Sequence, residues 1–272
     1  MSILANQRDT RYQADRAGSP AEVSAVPGDL QSHLKLFEPI SLLELNDQAE
    51  LMARTDRKYF VPVELFADLL KRTAADFRIL EIGGQRHFRY RSVYFDTPEF
   101  SFYRHHVQKR RHRYKVRTRT YCDSGDCLLE VKGKGYRGQT VKQRIAHDAT
   151  AARQLDSEAR QFAADIVGPD AHRLGPAVET RYERITLSRG PQRVTCDLGL
   201  QLLEGDWNRN GPDDVLVETN SDGARGLWDE LLRIEGIRSE SVSKYGVAAS
   251  LLRPELPRSP WHRVINRYFT RG

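Results

Sequence analysis

The chain has 272 residues, of which 39% are hydrophobic, apolar material enough for a real core as one large domain or two small ones. A formal charge of +6 and a pI near 9.3 favour anionic partners without choosing among nucleotides, phosphates, nucleic acid and an anionic membrane surface. No apolar run approaches the ~20 residues of a membrane span, and Cys122, Cys127 and Cys196 form no C-x-x-C pair and leave an odd thiol, so a soluble protein of the reducing cytoplasm is expected.

Residues 1–33 are polar and small, are broken by Gly18-Ser19-Pro20 and Pro27-Gly28, and read as a disordered leader with no secretory apolar core. Leu34, Phe37, Leu42, Leu45 and Leu51 suit short helical pieces interrupted at Pro39, and Arg54 to Phe60 reads as a strand. Pro62 fits the first turn of a helix, where its missing N–H costs nothing, and Val63, Phe66, Leu69 and Leu70 share one helical face that ends near Ala75. Tyr90 to Phe95 is a strand closed by the turn signal Asp96-Thr97-Pro98.

Between Arg104 and Arg144 stand thirteen Lys/Arg against Asp123, Asp126 and Glu130, so the remainder of the chain is net acidic. Lys115, Arg117 and Arg119 alternate with Val116, Thr118 and Thr120, and the two-residue period of a strand puts these cations, with Arg113, on one face. Glu130, Lys132 and Lys134 repeat the alternation after a turn at Ser124-Gly125, and Lys142 and Arg144 repeat it after the glycine-rich run from Gly133 to Gly138. Like charges opposite one another on paired strands repel, so this face either meets solvent or holds a polyanion, and alternation alone leaves both open.

Further on, Glu158 to Val167 reads as a helix burying Ala159, Phe162, Ala163 and Ile166. Val178 to Leu187, Gln192 to Leu198 and Val215 to Thr219 read as strands in hairpin order, and a helix with Leu227, Trp228, Leu231 and Leu232 ends near Gly236. Many strands without βαβ alternation predict an α+β, β-rich fold: a closed antiparallel β-barrel with helices packed outside over residues 34–253. Residues 254–272 add a C-terminal amphipathic helix, because Trp261, Val264, Ile265, Tyr268 and Phe269 follow helical spacing with Arg263, Arg267 and Arg271 opposite. That stripe either packs on its own domain or a second subunit, or touches an anionic membrane through 261–271.

The chain contains no G-x-x-x-x-G-K-[ST], no G-x-G-x-x-G after a strand, no H-E-x-x-H and no G-x-S-x-G. His105, His106 and His112 fall on a strand in this reading, where neighbours point to opposite faces, and no second ligand pair stands near. The informative acids are single ones among cations, Glu130 and Glu218. A phosphate-handling site needs cations against the polyanion and a carboxylate for Mg²⁺ or Mn²⁺, although Glu130 equally suits a structural ion pair.

Asp56-Arg57-Lys58-Tyr59, Tyr94-Phe95-Asp96-Thr97 with Tyr103 and His106, the run Arg113 to Tyr121, Leu129-Glu130-Val131-Lys132, Lys142-Gln143-Arg144, Tyr182-Glu183-Arg184, Val217-Glu218 and Ser243-Lys244-Tyr245 stand in that order. In this the sequence resembles the VTC domain, the catalytic part of the polyphosphate polymerase and a branch of the CYTH-like triphosphate tunnel metalloenzymes; the resemblance spans roughly Leu45 to Leu252. It implies a tunnel with inward Lys, Arg and Glu, in which the γ-phosphate of ATP passes to a growing polyphosphate chain with a divalent metal, Mn or Mg. By position it implies that Lys58, Arg117, Arg119, Lys132, Lys142 and Lys244 serve catalysis, that Lys115, Arg144, Arg184 and Arg193 bind phosphate, and that Glu218, with Glu130, meets the metal. Tyr94 and Asp96 are expected to organise the turn.

The sequence departs from that pattern at Asn220, where a basic residue is usual, and at Asp56 and Lys58, which stand where other tunnel enzymes have E-x-E-x-K. The second departure weakens a hydrolytic reading more than a polymerase one. No SPX domain or membrane anchor is expected. ATP and polyphosphate are the expected partners and nucleic acid is disfavoured, since Tyr114 falls on the face opposite the cations. Two alternatives stay open: hydrolysis of tripolyphosphate or nucleoside triphosphate on the same fold, and a non-catalytic polyphosphate- or RNA-binding module. Oligomeric state is not legible.

Overall fold

The computed structural model describes residues 25–48, 55–134, 140–221 and 223–270, the side chains at 134 and 140 excepted. Residues 1–24 of the expected leader lie outside them. The leader expected up to residue 33 instead gives way to a helix, α1 (Gly28–Leu34), because Val26, Leu30 and Leu34 find an apolar partner surface and are buried. Pro39 stands in a short strand, β1 (Glu38–Ile40), and α2 (Leu42–Asp47) starts on a Ser41/Glu44 capping box.

The elements then run β2 (Thr55–Val61), α3 (Val63–Thr73), β3 (Arg78–Leu80), β4 (Phe88–Asp96), α4 (Ser101–Val107), β5 (Tyr114–Tyr121), β6 (Cys127–Lys134), β7 (Thr140–His147) and α5 (Ser157–Val167). After a 3₁₀ turn at Pro169–Arg173 come β8 (Gly175–Arg189), β9 (Gln192–Glu204), β10 (Trp207–Asn210), β11 (Val215–Ser221), α6 (Leu227–Ile234) and α7 (Lys244–Leu252). The chain closes with α8 (His262–Val264) and a π-helical turn, Ile265–Phe269. His105 and His106 therefore lie on a helix rather than a strand. The Asp96 carboxylate accepts from the backbone N–H groups of Thr97, Phe102 and Tyr103 and nucleates that helix, so Asp96 does organise the turn.

The main sheet runs β2-β11-β9-β8-β4-β5-β6-β7, and every pairing along that order is antiparallel. One face lies under helices: α1, α3 and α6 cover Tyr59, Val61, Ile185, Val194 and Val217, and α5 covers Val93, Val116, Leu129 and Val131. The other face is concave. Lys132 on β6 comes within 4.0 Å of Asp56 on β2, although six strand steps along the sheet separate them.

The hydrogen-bonded closure of a barrel is not observed. β2 and β7 end the sheet and do not pair among the described residues. The carbonyl of Lys58 on β2 accepts instead from the N–H of Glu240, so the loop leading into α7 occupies part of that edge.

The C-terminal stripe packs on its own domain. Trp261, Val264, Ile265 and Phe269 are buried, and Tyr268 stacks on Phe60 at 4.1 Å between centroids, which leaves no apolar stripe for a membrane. Among the described residues no helix is long and apolar enough to cross a membrane.

Phe66 of α3 is fully buried against Trp228 of α6, with ring centroids 6.0 Å apart. Phe66→Ala should cost about 3–5 kcal/mol of unfolding free energy, read from the urea midpoint.

Candidate functional site: a cationic belt on the concave face

Strand alternation turns Lys115, Arg117 and Arg119 to the concave side because Val116 and Thr118, between them, are drawn under α5 and the chain beside it. Cross-strand register then assembles the belt. Arg117 pairs with Glu130 and Lys115 with Lys132 across β5 and β6, Glu130 with Arg144 and Lys132 with Lys142 across β6 and β7, Lys58 with Glu218 across β2 and β11, and Arg184 with Asp197 across β8 and β9.

Three carboxylates hold these cations in place. Glu130 is almost wholly buried; Arg117 approaches it at 2.6 Å, Arg119 at 3.9 Å, and Lys142 lies against its other oxygen. Burial raises its carboxyl pKa, but Arg117, then Arg119 and Lys142, outweigh burial and hold it far below the usual range. Asp197 is equally buried and takes a bidentate pair from Arg184, at 2.6 and 2.8 Å, together with the Lys244 ammonium. Its pKa is driven far down for the same reason. Glu218 meets Lys58 at 3.2 Å and is lowered by Lys58, Arg184 and Lys244 against its burial.

Among the described residues Lys115 has no carboxylate partner of this kind. Its Nζ donates to Ser243 Oγ at 2.9 Å, at the N-cap of α7. Burial, then repulsion from Lys132, Lys58 and Arg117, lowers its pKa to about 7 despite the pull of Glu218. Lys142 falls to about 8, chiefly through burial. Tyrosines line the same surface. Arg117 donates to Tyr94 Oη at 3.2 Å and Arg119 to Tyr182 Oη at 3.3 Å; Arg184 lies over the rings of Tyr90 and Tyr182 at 5.1 and 5.2 Å, and Lys244 over Tyr182 at 4.6 Å.

Lys58, Lys115, Arg117, Arg119, Lys132, Lys142, Arg184, Lys244, Glu130 and Glu218 thus come together from six strands and one helix start. Arg144 shares the face by register and is exposed. Arg193 stands apart, its guanidinium donating to the Leu45 carbonyl at 2.7 Å. Sequence reasoning gave no role to Asp197, Ser243 or the rings of Tyr90 and Tyr182. The partner of Asp197 is Arg184, which only the β8/β9 register shows.

Residues 53–253 match the family model of the VTC domain. The chain belongs to the VTC domain family. Solved structures similar to this VTC chain include a candidate adenylate cyclase from Bacillus halodurans, at 15% identity over 71% of this chain and 94% of that one, TM-score 0.49. Another is the candidate adenylyl cyclase HpAC1 from Hippeastrum, with a dominant triphosphatase activity, at 15% identity over 73% and 96%, TM-score 0.47. A third is the PH1819 protein of Pyrococcus horikoshii, at 14% identity over 75% and 100%, TM-score 0.43. No curated protein matches the chain.

The metal expected for a VTC domain needs oxygen ligands, and among the described residues no group of three or more His, Cys, Asp or Glu converges. Glu130 is already compensated by three cations. Glu218, with one ammonium beside it, fits a metal that takes one carboxylate and completes its shell with phosphate oxygens and water.

A phosphate chain in the belt would restore the charge of Lys115 and Lys142. The bound state then carries more protons than the free one, so affinity falls as pH rises above about 7. Calorimetry with tripolyphosphate at about pH 8, in buffers of different ionisation enthalpy, should record proton uptake, and Lys115→Met should remove the larger part of it.

Proposed function

We propose that this VTC domain is an ATP:polyphosphate phosphotransferase, extending a polyphosphate chain with the γ-phosphate of ATP. The observation that carries this reading is the belt, in which eight Lys and Arg side chains gather on one face, six of them paired with three carboxylates, and leave cationic charge for an extended polyanion. In the proposed step a terminal oxygen of the chain attacks Pγ, the bond from Pγ to the β,γ-bridging oxygen breaks, and that oxygen leaves with ADP. Arg117, Arg119, Lys142 and Arg184 would bind and orient the non-bridging oxygens, and Lys58, Lys115, Lys132 and Lys244 would offset charge that develops on attacking and leaving oxygens.

Mg²⁺ or Mn²⁺ held by Glu218 supplies Lewis-acid stabilisation of the phosphoryl oxygens when bound. Glu130 and Asp197 act through the arginines they fix. Hydrolysis of tripolyphosphate on the same belt remains the competing reaction; the absence of the E-x-E-x-K pattern at Asp56 and Lys58 favours transfer.

Incubation with γ-labelled ATP and Mn²⁺ should give acid-labile polymer and ADP in parallel on one gel. Steady phosphate release without chain growth would assign the hydrolase, and neither product, across metals and with a short primer, would sink the enzymatic reading. Two carboxylates separate structure from chemistry. Glu130→Gln leaves buried cations uncompensated and should cost about 3–5 kcal/mol of stability. Glu218→Gln should stay within about 1 kcal/mol of the parent by urea denaturation and lose metal-dependent polymer.

A further inference from the structure

One row across the concave face is polar and closed from solvent. Arg119 on β5 is the register partner of Ser92 on β4, Ser92 of Thr180 on β8, and Thr180 of Leu202 on β9. Arg117, Tyr94 and Val178 form the row on one side, and Tyr121, Tyr90 and Tyr182 the row on the other. Leu202 ends the row in the buried apolar cluster that α7 makes with the sheet and the C-terminal segment. Ser92 and Thr180 are fully buried, and Arg119 is 8% exposed.

Among the described residues, Ser92 Oγ, Thr180 Oγ1 and Arg119 Nε have no hydrogen-bond partner. Side chains opposite one another on paired strands have Cβ atoms about 5 Å apart, near enough for two hydroxyls to bond, yet Ser92 and Thr180 do not bond each other. The rest of the guanidinium is engaged elsewhere: Nη2 donates to Tyr182 Oη at 3.3 Å, Nη1 lies 3.9 Å from Glu130, and the Tyr90 ring centroid is 5.5 Å from its central carbon. Three orphaned polar atoms at neighbouring positions are costly, and one small solute between them satisfies all three.

The chemistry of the three atoms selects that solute. The Nε–H of a guanidinium only donates, and each hydroxyl can turn its hydrogen toward a common point. The belt carboxylates are engaged with other groups: Glu130 with Arg117 and Lys142, Asp197 with Arg184 and Lys244, and Glu218 with Lys58. Eight cations against those three acids make the field at the row positive, which repels a metal ion. A phosphate group has more acceptor oxygens than the row has donors. Water would complete the hydrogen bonds and leave the charge; a monatomic anion does both. We propose that Arg119, Ser92 and Thr180 form a buried halide site, occupied by chloride as a resident counter-ion of the arginine side of the belt. The site does not depend on the phosphate-chain reading.

Bromide and the full chain supply the test. In crystals grown from sodium bromide, an anomalous peak is expected in contact with Arg119 Nε, Ser92 Oγ and Thr180 Oγ1. In solution, the thermal midpoint should be higher in sodium chloride or bromide than in sodium gluconate of equal ionic strength, because a ligand of the folded state alone stabilises it. Thr180→Val keeps the side chain's shape while removing one donor, and should abolish that difference; Ser92→Ala is a second variant with the same expectation. Lys58→Met removes a belt cation outside the row and should keep the difference. Absence of an anomalous peak at the row, with or without water there, overturns the site, and so does a halide response that Thr180→Val and Ser92→Ala retain. A bromide peak with no halide response in solution marks an adventitious ion only and overturns it equally.

Discussion

Mutual repulsion among cations on neighbouring strands is the constraint on which the molecule depends. Two unit charges 4 Å apart cost about 4 kcal/mol at the effective dielectric of a protein surface, and the concave face gathers eight of them. The fold tolerates this by setting one acid into each part of the belt: Glu130 under Arg117, Arg119 and Lys142, Asp197 under Arg184 and Lys244, and Glu218 beside Lys58. The compensation is incomplete. Lys115 is left with a hydroxyl partner and loses much of its affinity for a proton, the expected condition of a site whose last counter-charge arrives with the ligand.

The two faces of the sheet divide the work. Apolar residues at alternate positions bind the covering helices, and those helices hold the curvature that brings β6 within reach of β2. Curvature is what converts a cationic surface into a concentrated one. A flat sheet with the same residues would spread its charges along solvent, where screening weakens them. The apolar cluster around α7 adds the second restriction, since it keeps solvent from the far side of Asp197 and Arg184 and thereby keeps their field in the belt.

Much of this was legible. Strand periodicity grouped Lys115, Arg117 and Arg119 correctly, proline signals marked the start of α3 and the end of β4, and the amphipathic spacing of α5 and α6 located both helices. Other parts carried no periodic signal. α4 starts on the side chain of Asp96, five residues upstream of the helix, and its own run of histidines and arginine has no apolar stripe. α7 is buried on every side, so Gly246, Val247, Ala248 and Ala249 show no amphipathic face to read. β1 and β3 are three residues each, and Glu38 to Ile40 becomes a strand only because Arg78 to Leu80 lies alongside.

The sequence by itself determined the alternation that segregates cations from apolar side chains, and the order of motifs that marks a VTC domain, because both are written in spacings along one chain. Tertiary structure alone decided which acid neutralises which cation, since Arg184 and Asp197, or Lys58 and Glu218, meet only through the register of strands far apart in sequence. It also decided that, among the described residues, strand pairing leaves β2 and β7 unjoined and that α7 is enclosed by the concave sheet and the C-terminal segment. Those outcomes depend on how a curved sheet closes over its own volume, and residue spacing along the chain holds no record of that.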